Sequence, residues 1–445
     1  MDETSLLEVA LAAARRAGAD AADALLVERT GLNLTWRLGS LEELQRKDAR
    51  ELGLRVFVGR RIATAATNRA DRAAVEAMAE DAVAAARLLP EDPWAGLATP
   101  DQLATAGWPD LDLVDGGAEP SIEALRRAAE AAEDAARAVS GITNSDGASA
   151  SWSSTAVTLA ATNGFRGGYR RTRHGLGATV LAGSGTGMQR DYEYRQATHH
   201  ADLPPPEAIG RVAGERAVRR MNPCKAATAR VPVVYEPRAA AGLLRHLASA
   251  IGGEAVAAGR SFLKDRLGEL VFAPEVTIVD DPLRRRGLGS RPFDGEGIAA
   301  GRRRLADAGV LTTWLLDLAS ARRLGLGSTG HASRGGAALG SPGPTNLTLE
   351  PGACAPADLI KDVKSGFYVT EMMGMGVNTV TGDYSRGASG FWIEDGELAH
   401  PVSEVTVAGN LADMFRRLAP ASDLEIRGTT DAPTVRIDGL TVAGK

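Results

Sequence analysis

Residues Gly366–Leu418 read GFYVTEMMGMGVNTVTGDYSRGASGFWIEDGELAHPVSEVTVAGNLADMFRRL, and the fold class turns on this stretch. It holds four short apolar, β-branched or aromatic runs, Phe367–Thr370, Val377–Thr381, Phe391–Glu394 and Glu404–Ala408. Glycine-rich polar segments separate them, which is the pattern of strands joined by tight turns. Asp395-Gly396 between two alternating runs is the strongest short-range signal for a two-residue hairpin. Asn410 predicts a helix N-cap, with Asp413 at the third helical position and Leu411, Met414, Phe415 and Leu418 as the apolar stripe. Between strands, Gly382–Gly390 predicts a nine-residue loop holding three glycines, an acid, a phenol and an arginine. Such a loop serves a ligand or partner contact, and equally a plain connection.

The same mixture of elements continues upstream. Ser5–Glu8 reads as a capping box for a helix from Leu6 to about Ala17, ended by Gly18. Asp23–Thr67 holds five alternating runs broken at Gly31, Gly39, the Asp48 region and Gly59, which predicts an antiparallel meander. An alanine-rich helix follows over roughly Asp71–Leu89. Prolines 90, 93, 100, 109 and 120 mark a linker or wrapping segment. Ser121 opens a second alanine-rich helix that ends near Gly141. Ile142–His199 is strand-rich, with Asn163-Gly164 as a hairpin turn, and a helix from about Glu207 to Met221 closes it. Helix, strands, helix therefore occurs twice.

Next come a strand at Val231–Tyr235 and a helix at Pro237–Ile251 with proline in its first turn. Ser261–Val271 predicts a short helix, and Glu275–Val279, Val310–Leu316 and Asn346–Leu349 predict strands. Arg284–Gly301 is a basic, glycine-rich loop, and Leu324–Gly343 is almost wholly Gly, Ser, Ala and charge. Pro356–Lys364 predicts a helix, and Thr434–Val442 a strand pair turning at Asp438-Gly439. Without regular βαβ alternation the class is α+β: N-terminal helix–β-meander–helix units, then a mixed, β-rich C-terminal domain. The expected division is an N-terminal α+β domain over 1–89, a linker over 90–120, a central α+β domain over 121–225 and the C-terminal domain over 226–445.

Composition bounds the function. The chain has 445 residues, 44% hydrophobic and 24% charged, as in ordinary globular proteins. A formal net charge of −5 argues against nucleic acid or an anionic membrane surface as partner. Two cysteines, Cys224 and Cys354, exclude a disulfide framework and fit a reducing cytoplasm. MDETSLLEVALAAARRAG lacks a basic region ahead of an unbroken apolar core, so it predicts an amphipathic helix and not a signal peptide. No apolar run reaches the length of a membrane span. The expected location is the cytoplasm.

Chemistry is sparse. The six histidines are His174, His199, His200, His246, His331 and His400, and no HExxH or HExxxH spacing occurs. His246 is alone on its helix, and His199-His200 would face opposite sides of a strand. His331, within GSTGHASRGG, is expected to be exposed by its glycine-rich loop. Gly387–Gly390 and Gly327–Gly330 are near misses to G-x-S-x-G without a strand-to-helix elbow. Neither cysteine has a histidine near it in sequence, and no phosphate-binding G-x-x-x-x-G-K-[ST] is present. No active site follows from the residues alone.

The opening stretch resembles the C-terminal signature of the TldD/PmbA family, in detail its PmbA (TldE) branch. The resemblance rests on Gly366–Gly374, Gly376-Val-Asn378, Thr381–Trp392, Pro401-Val, Glu404-Val-Thr and Ala408–Arg416. Ser261-Phe-Leu263 before Leu267-Gly268, Asn346–Gly352 and Leu440–Gly444 extend it over most of 230–445. The resemblance implies a family that includes zinc metallopeptidases. In its TldD branch a helix carries HExxxH, and a cysteine near the C-terminus completes the site. Here the corresponding helix reads LLRHLASAIGG over Leu243–Gly253, lacking the acid and the second histidine, and Ile426–Pro433 holds no cysteine.

The resemblance therefore implies a subunit of a TldD/TldE-type peptide-processing system that itself holds no cofactor, zinc residing in a TldD-like catalytic partner. Whether the chain is itself an enzyme stays open. A peptide or unfolded protein is the implied substrate, and self-association stays open. The alternatives are a stand-alone peptidase with an unrecognised metal or nucleophile, and a non-enzymatic regulator of the gyrase-modulator type. His331, Arg334, Asp383, Tyr384, Ser385 and Arg386 are the candidate peptide- or partner-contacting residues.

Overall fold

A computed structural model describes residues 3–105, 107–335 and 340–444. The N-terminal half runs α1 (Glu3–Ala17), β1 (Ala21–Arg37), β2 (Ser40–Val58), β3 (Arg61–Thr67), α2 (Arg72–Leu88), α3 (Ile122–Arg137), β4 (Ile142–Ala161), β5 (Arg166–Ala182), β6 (Gln189–Ala197) and α4 (Pro206–Arg219). The C-terminal half continues with β7 (Ala229–Tyr235), α5 (Pro237–Ala250), α6 (Gly253–Ala257), β8 (Ile278–Asp280), β9 (Arg303–Asp307), β10 (Val310–Leu311), α7 (Leu318–Leu324), β11 (Ala332–Ser333), β12 (Ser341–Pro342) and β13 (Leu347–Leu349). It ends with β14 (Ser365–Met373), β15 (Asp383–Glu394), β16 (Glu397–Asn410), α8 (Leu411–Arg416), β17 (Leu418–Pro420), β18 (Thr430–Asp431) and β19 (Val435–Ala443). The class is α+β. No helix among the described residues is long and apolar enough to cross a membrane.

The two helix–meander–helix units form one antiparallel sheet, in the order β3-β2-β1-β4-β5-β6, with β1 and β4 meeting at its centre. Side chains alternate across a strand, and this separates two faces cleanly. On one, Ala22, Ala24 and Leu26 of β1 pack with α1 and α2, while Leu32, Leu34 and Trp36 pack with α3 and α4. Among the described residues the other face carries no helix, and it looks toward the C-terminal half: Leu25 and Leu159 cluster there with Phe165 and Phe293. β2 pairs with β3 only from Leu52 onward, so its Ser40–Glu51 portion has β1 on one side and an open edge on the other.

The meander has three strands where the sequence suggests five runs. Gly31 and the Asp48 region do not break it, because Gly31 is paired to both Lys47 and Ser153, and Thr30 to Asp48. Ladder bonds outweigh local propensity at such positions. α1 begins by Glu3, so Ser5 lies within the helix and not at its cap. Asp71 and Ser121 cap α2 and α3 through the backbone N–H groups of Ala74 and Ala124.

In the C-terminal half β16, β15, β14, β7 and β19 pair in succession, and β16 pairs again with β19, closing the sheet upon itself. Closure removes the free edges between those strands. A second sheet, β10-β9-β8-β13-β18, lies alongside, and α5 is buried with both in one core that includes Val233, Leu243, Leu247, Leu305, Phe367, Phe415 and Ile437. Asp395-Gly396 joins β15 to β16 with φ of 48° and 85°, the left-handed pair a tight hairpin requires. Asn410 caps α8.

Several expected elements differ. Val377–Thr381 is a turn, since the Asn378 side chain accepts the Val380 N–H at 2.9 Å and bends the chain locally. Gly382–Gly390 is not a loop, because Asp383 onward pairs with β16. Ser261–Val271 forms turns in place of a helix: the Ser261 hydroxyl donates to Ala250 O at 2.6 Å and accepts the Leu263 N–H. Pro356–Lys364 is helical only as a tight turn over Pro356–Leu359, and Val310–Leu316 is a strand only over Val310–Leu311. Thr434–Val442 gives a single strand, interrupted between Ile437 and Leu440 where Gly439 takes φ 75°. Residues 336–339 of the expected Leu324–Gly343 loop lie outside the described residues.

Candidate functional site

α5 starts where β7 ends, with Glu236 at its N-cap and Pro237 in its first turn. Leu243, Leu244, Leu247 and Ile251 anchor it in the core. Arg238, Gly242 and Arg245 follow the same helical period on another stripe and border a cavity of about 170 Å³. The opposite walls are Thr370, Glu371 and Met372 of β14, Arg386 of β15, and Asp191 and Tyr192 of β6. A neighbouring cavity of about 120 Å³ shares Asp191, Arg238 and Thr370 and adds Arg216, Arg219 and Arg220.

The charges here are unevenly matched. Asp191 accepts from Arg220 and Arg238, both at 3.2 Å. Arg238 also meets Glu236 at 2.7 Å, and Arg220 meets Glu371 at 2.6 Å. Burial opposes the Arg238 charge, but Glu236 and Asp191 outweigh it and raise its pKa. Those carboxylates are thereby engaged. Arg386 donates Nε to Gly374 O at 3.0 Å, and a Cβ built on Gly242 would lie 3.8 Å from both Arg245 Nη2 and Arg386 Nη1. Two guanidinium groups thus converge over a glycine. Desolvation and the Arg386 charge both lower the Arg245 pKa, the signature of cations held close without a balancing acid.

His246 lies beside this pair. Its ring meets the Tyr384 ring edge-on at 5.9 Å, and its Nε2 is buried without a hydrogen-bond partner. Burial first, then Arg386 and Arg245, push the imidazole pKa down to about 4. Burial likewise pushes the Tyr384 phenol up to about 12. Zinc requires several N, S or O donors converging on one point. Here one imidazole faces two guanidinium groups, and its neighbours at the positions of an acid and a second histidine are Leu247 and Ile251. This donor set does not fit zinc, and it favours an anion over a cation.

The six residues singled out from the sequence fall in three places. Tyr384 and Arg386 belong to this site, Tyr384 buried and Arg386 half-buried at the cavity wall. Asp383 and Ser385 are exposed; Asp383 accepts from Thr381 Oγ1 at 2.6 Å and Asn410 Nδ2 at 3.3 Å, and the Ser385 N–H donates to Gly376 O at 2.7 Å. His331 is not exposed by its loop. It is 1% exposed, with Nε2 3.2 Å from Asp280 Oδ2 and Nδ1 2.8 Å from Thr329 Oγ1. That connectivity copies a nucleophile–base–acid triad, yet the Thr329 hydroxyl already accepts the Leu316 N–H, and Asp280 already accepts both the N–H and hydroxyl of Thr345. All three are buried, so the group is a latch and not a reactive site. The Arg334 side chain is also buried, paired with Asp23 of β1.

Sequence reading missed Arg238, Arg245, Arg220, Asp191 and Glu371. The helical spacing of Arg238, Gly242 and Arg245 was a usable signal. Asp191 and Arg220 join them only through the folded chain.

Three family models cover the chain in order: PmbA/TldA metallopeptidase domain 1 over residues 22–86, the central domain over 115–221 and the C-terminal domain over 228–444. The chain is 36% identical over 427 residues to the metalloprotease PmbA of Escherichia coli O157:H7, covering 96% of this chain and 93% of that one. A PmbA homologue of Haemophilus influenzae is 34% identical over 433 residues, covering 97% and 94%. Among solved structures, a protein from Bacteroides thetaiotaomicron described as a candidate modulator of DNA gyrase superposes with a TM-score of 0.92, 29% identity and full coverage of both chains. TldE of Thermococcus kodakarensis shares the fold, with a TM-score of 0.87 at 19% identity over 98% of this chain and 99% of that one. The chain belongs to the PmbA/TldD metallopeptidase family, on its PmbA (TldE) side.

Proposed function

We propose that the chain is the subunit of a TldD/TldE-type zinc metallopeptidase system that holds no zinc itself, encloses the site of a TldD-like catalytic partner and helps retain an extended peptide. The observation that carries this reading is His246. It sits on the helix where the catalytic branch places HExxxH, but between Arg245 and Arg386 and without an adjoining acid. A neutral, desolvated imidazole flanked by cations can pack and bind, but it cannot assemble a metal-bound hydrolytic water.

Peptide retention draws support from the open β2 edge at Ser40–Glu51, where an added strand would gain main-chain hydrogen bonds with little sequence demand. The cytoplasm is the compartment this reading requires. The test is co-purification with a homologous chain that carries HExxxH, followed by a proteolysis assay on an unfolded peptide. A stable complex with raised peptidase activity is the expected result; no complex and no gain in activity would overturn the proposal.

A further inference from the structure

The helix-free face of the N-terminal sheet does not end where its apolar cluster ends. Strand register places Arg29, Thr155 and Arg171 side by side across β1, β4 and β5, one row beyond Val27, Val157 and Tyr169. Arg173 follows two residues along β5 on the same face. Against this face lies the segment from Leu288 to Gly295, and a cavity of about 280 Å³ separates them. Among the described residues five arginines line it, Arg29, Arg171, Arg173, Arg291 and Arg334, with Asp294 as the single carboxylate.

That carboxylate balances little. Asp294 already accepts the backbone N–H groups of Glu296, Ile298 and Ala332, and burial, against the pull of Arg291, raises its pKa. Arg334 has Asp23, but its Nε and Nη2 are buried with no hydrogen-bond partner, as are Nε and Nη2 of Arg291. The Arg334 side chain is 1% exposed. Arg173 donates to Leu288 O at 3.0 Å, while burial and the charges of Arg171 and Arg29 lower its pKa. Buried donors without acceptors are costly, and cations crowded without acids are more so. An oxyanion entering the cavity relieves both.

We propose that this cleft binds the carboxylates of an acidic peptide segment, recognised by Arg29, Arg171, Arg173 and Arg291. Planar guanidinium groups suit carboxylates through paired N–H donors. The apolar rows beside the arginines select a ligand that alternates acidic with apolar groups, which a peptide supplies. The chain's net charge of −5 opposes a nucleic acid. The assignment of a peptide rests on the peptide-handling reading above.

The test titrates the full chain with two labelled hexapeptides, one alternating Glu with Val and one alternating Gln with Val, and follows fluorescence anisotropy. The acidic peptide should bind roughly tenfold tighter or more. The double variant R29Q/R171Q should lose that preference while keeping its thermal unfolding midpoint, since it replaces two side chains on the cavity wall outside the buried core. Equal binding of the two peptides, or an undiminished preference in R29Q/R171Q, would overturn the proposal. Binding of inorganic pyrophosphate through these arginines in place of the acidic peptide would overturn the carboxylate assignment. An acidic preference in a chain that forms no complex with an HExxxH-bearing homologue would keep this site and remove the subunit reading; complex formation without the preference would do the reverse.

Discussion

Asp23 and Arg334 stand 311 positions apart in sequence, yet Asp23 Oδ1 accepts from Arg334 Nη1 at 2.5 Å with both side chains almost wholly buried. Asp23 Oδ2 also accepts from Arg55 Nη2 at 2.5 Å, and Arg55 reaches Glu296 at 3.3 Å. Asp23 therefore ties the N-terminal sheet directly to Arg334, and Arg55 beside it ties the sheet to Glu296. Burial opposes its charge, but Arg55 and Arg334 prevail and lower its pKa. D23A leaves two buried guanidinium groups short of an acid and should lose about 3–5 kcal/mol of stability. Urea denaturation of the variant against the parent measures this; a loss under about 1 kcal/mol, the level of a surface pair, would contradict it.

His246 gives a pH signature. Its folded pKa of about 4 lies below the ordinary value of 6.5, so between those values the unfolded chain binds a proton that the folded chain does not. Stability must then fall as the pH drops from about 6.5 toward 4, and H246Q should flatten that part of the profile. An NMR titration of the imidazole should show a midpoint near 4. A midpoint near 6.5 would mean that the ring is neither desolvated nor crowded by Arg386 and Arg245.

Glycines of the Gly366–Leu418 stretch answer to neighbouring backbone. A Cβ on Gly376 would lie 1.9 Å from Ser385 O, and one on Gly390 1.9 Å from Tyr368 O. G390A must push β15 off β14, and G376A must push the segment ahead of the Asn378 turn off β15; each should cost about 1–3 kcal/mol or more. Thermal unfolding checks this, and unchanged midpoints would contradict the close strand approach.

Asn410 joins three segments. It accepts the Ala412 N–H at 3.0 Å as the cap of α8 and donates to Thr381 O at 3.0 Å and to Asp383 Oδ1 at 3.3 Å. N410A should lose about 1–2 kcal/mol, somewhat more than N410D, which retains the acceptor. Equal stability of N410A and the parent in urea would show the cap to be idle.

Local signals in the sequence were legible where the chain contacts itself nearby. The Asp395-Gly396 turn and the capping bond from the Ala412 N–H to Asn410 are local, and both stand as read. Val377–Thr381 misled because its β-branched residues suit a strand, while the turn is imposed by one Asn378 side chain. His331 misled because a glycine-rich surrounding resembles a surface loop, whereas Asp280 and Thr345 bury it from distant positions. The arginine row of Arg29 and Arg171 was invisible for the same reason: each strand shows its alternation, but only the register across β4 brings the two together.

A chain that contributes binding and not zinc chemistry gives a distinct outcome in one reconstitution. The chain is mixed with its HExxxH-bearing homologue, and cleavage of an unfolded peptide is compared for the parent mixture, for H246A in this chain, and for Gln replacing the HExxxH glutamate in the homologue. H246A is expected to retain cleavage, while the homologue's substitution abolishes it. Cleavage by this chain alone, or its loss in H246A with the complex intact, would contradict a binding role without zinc chemistry.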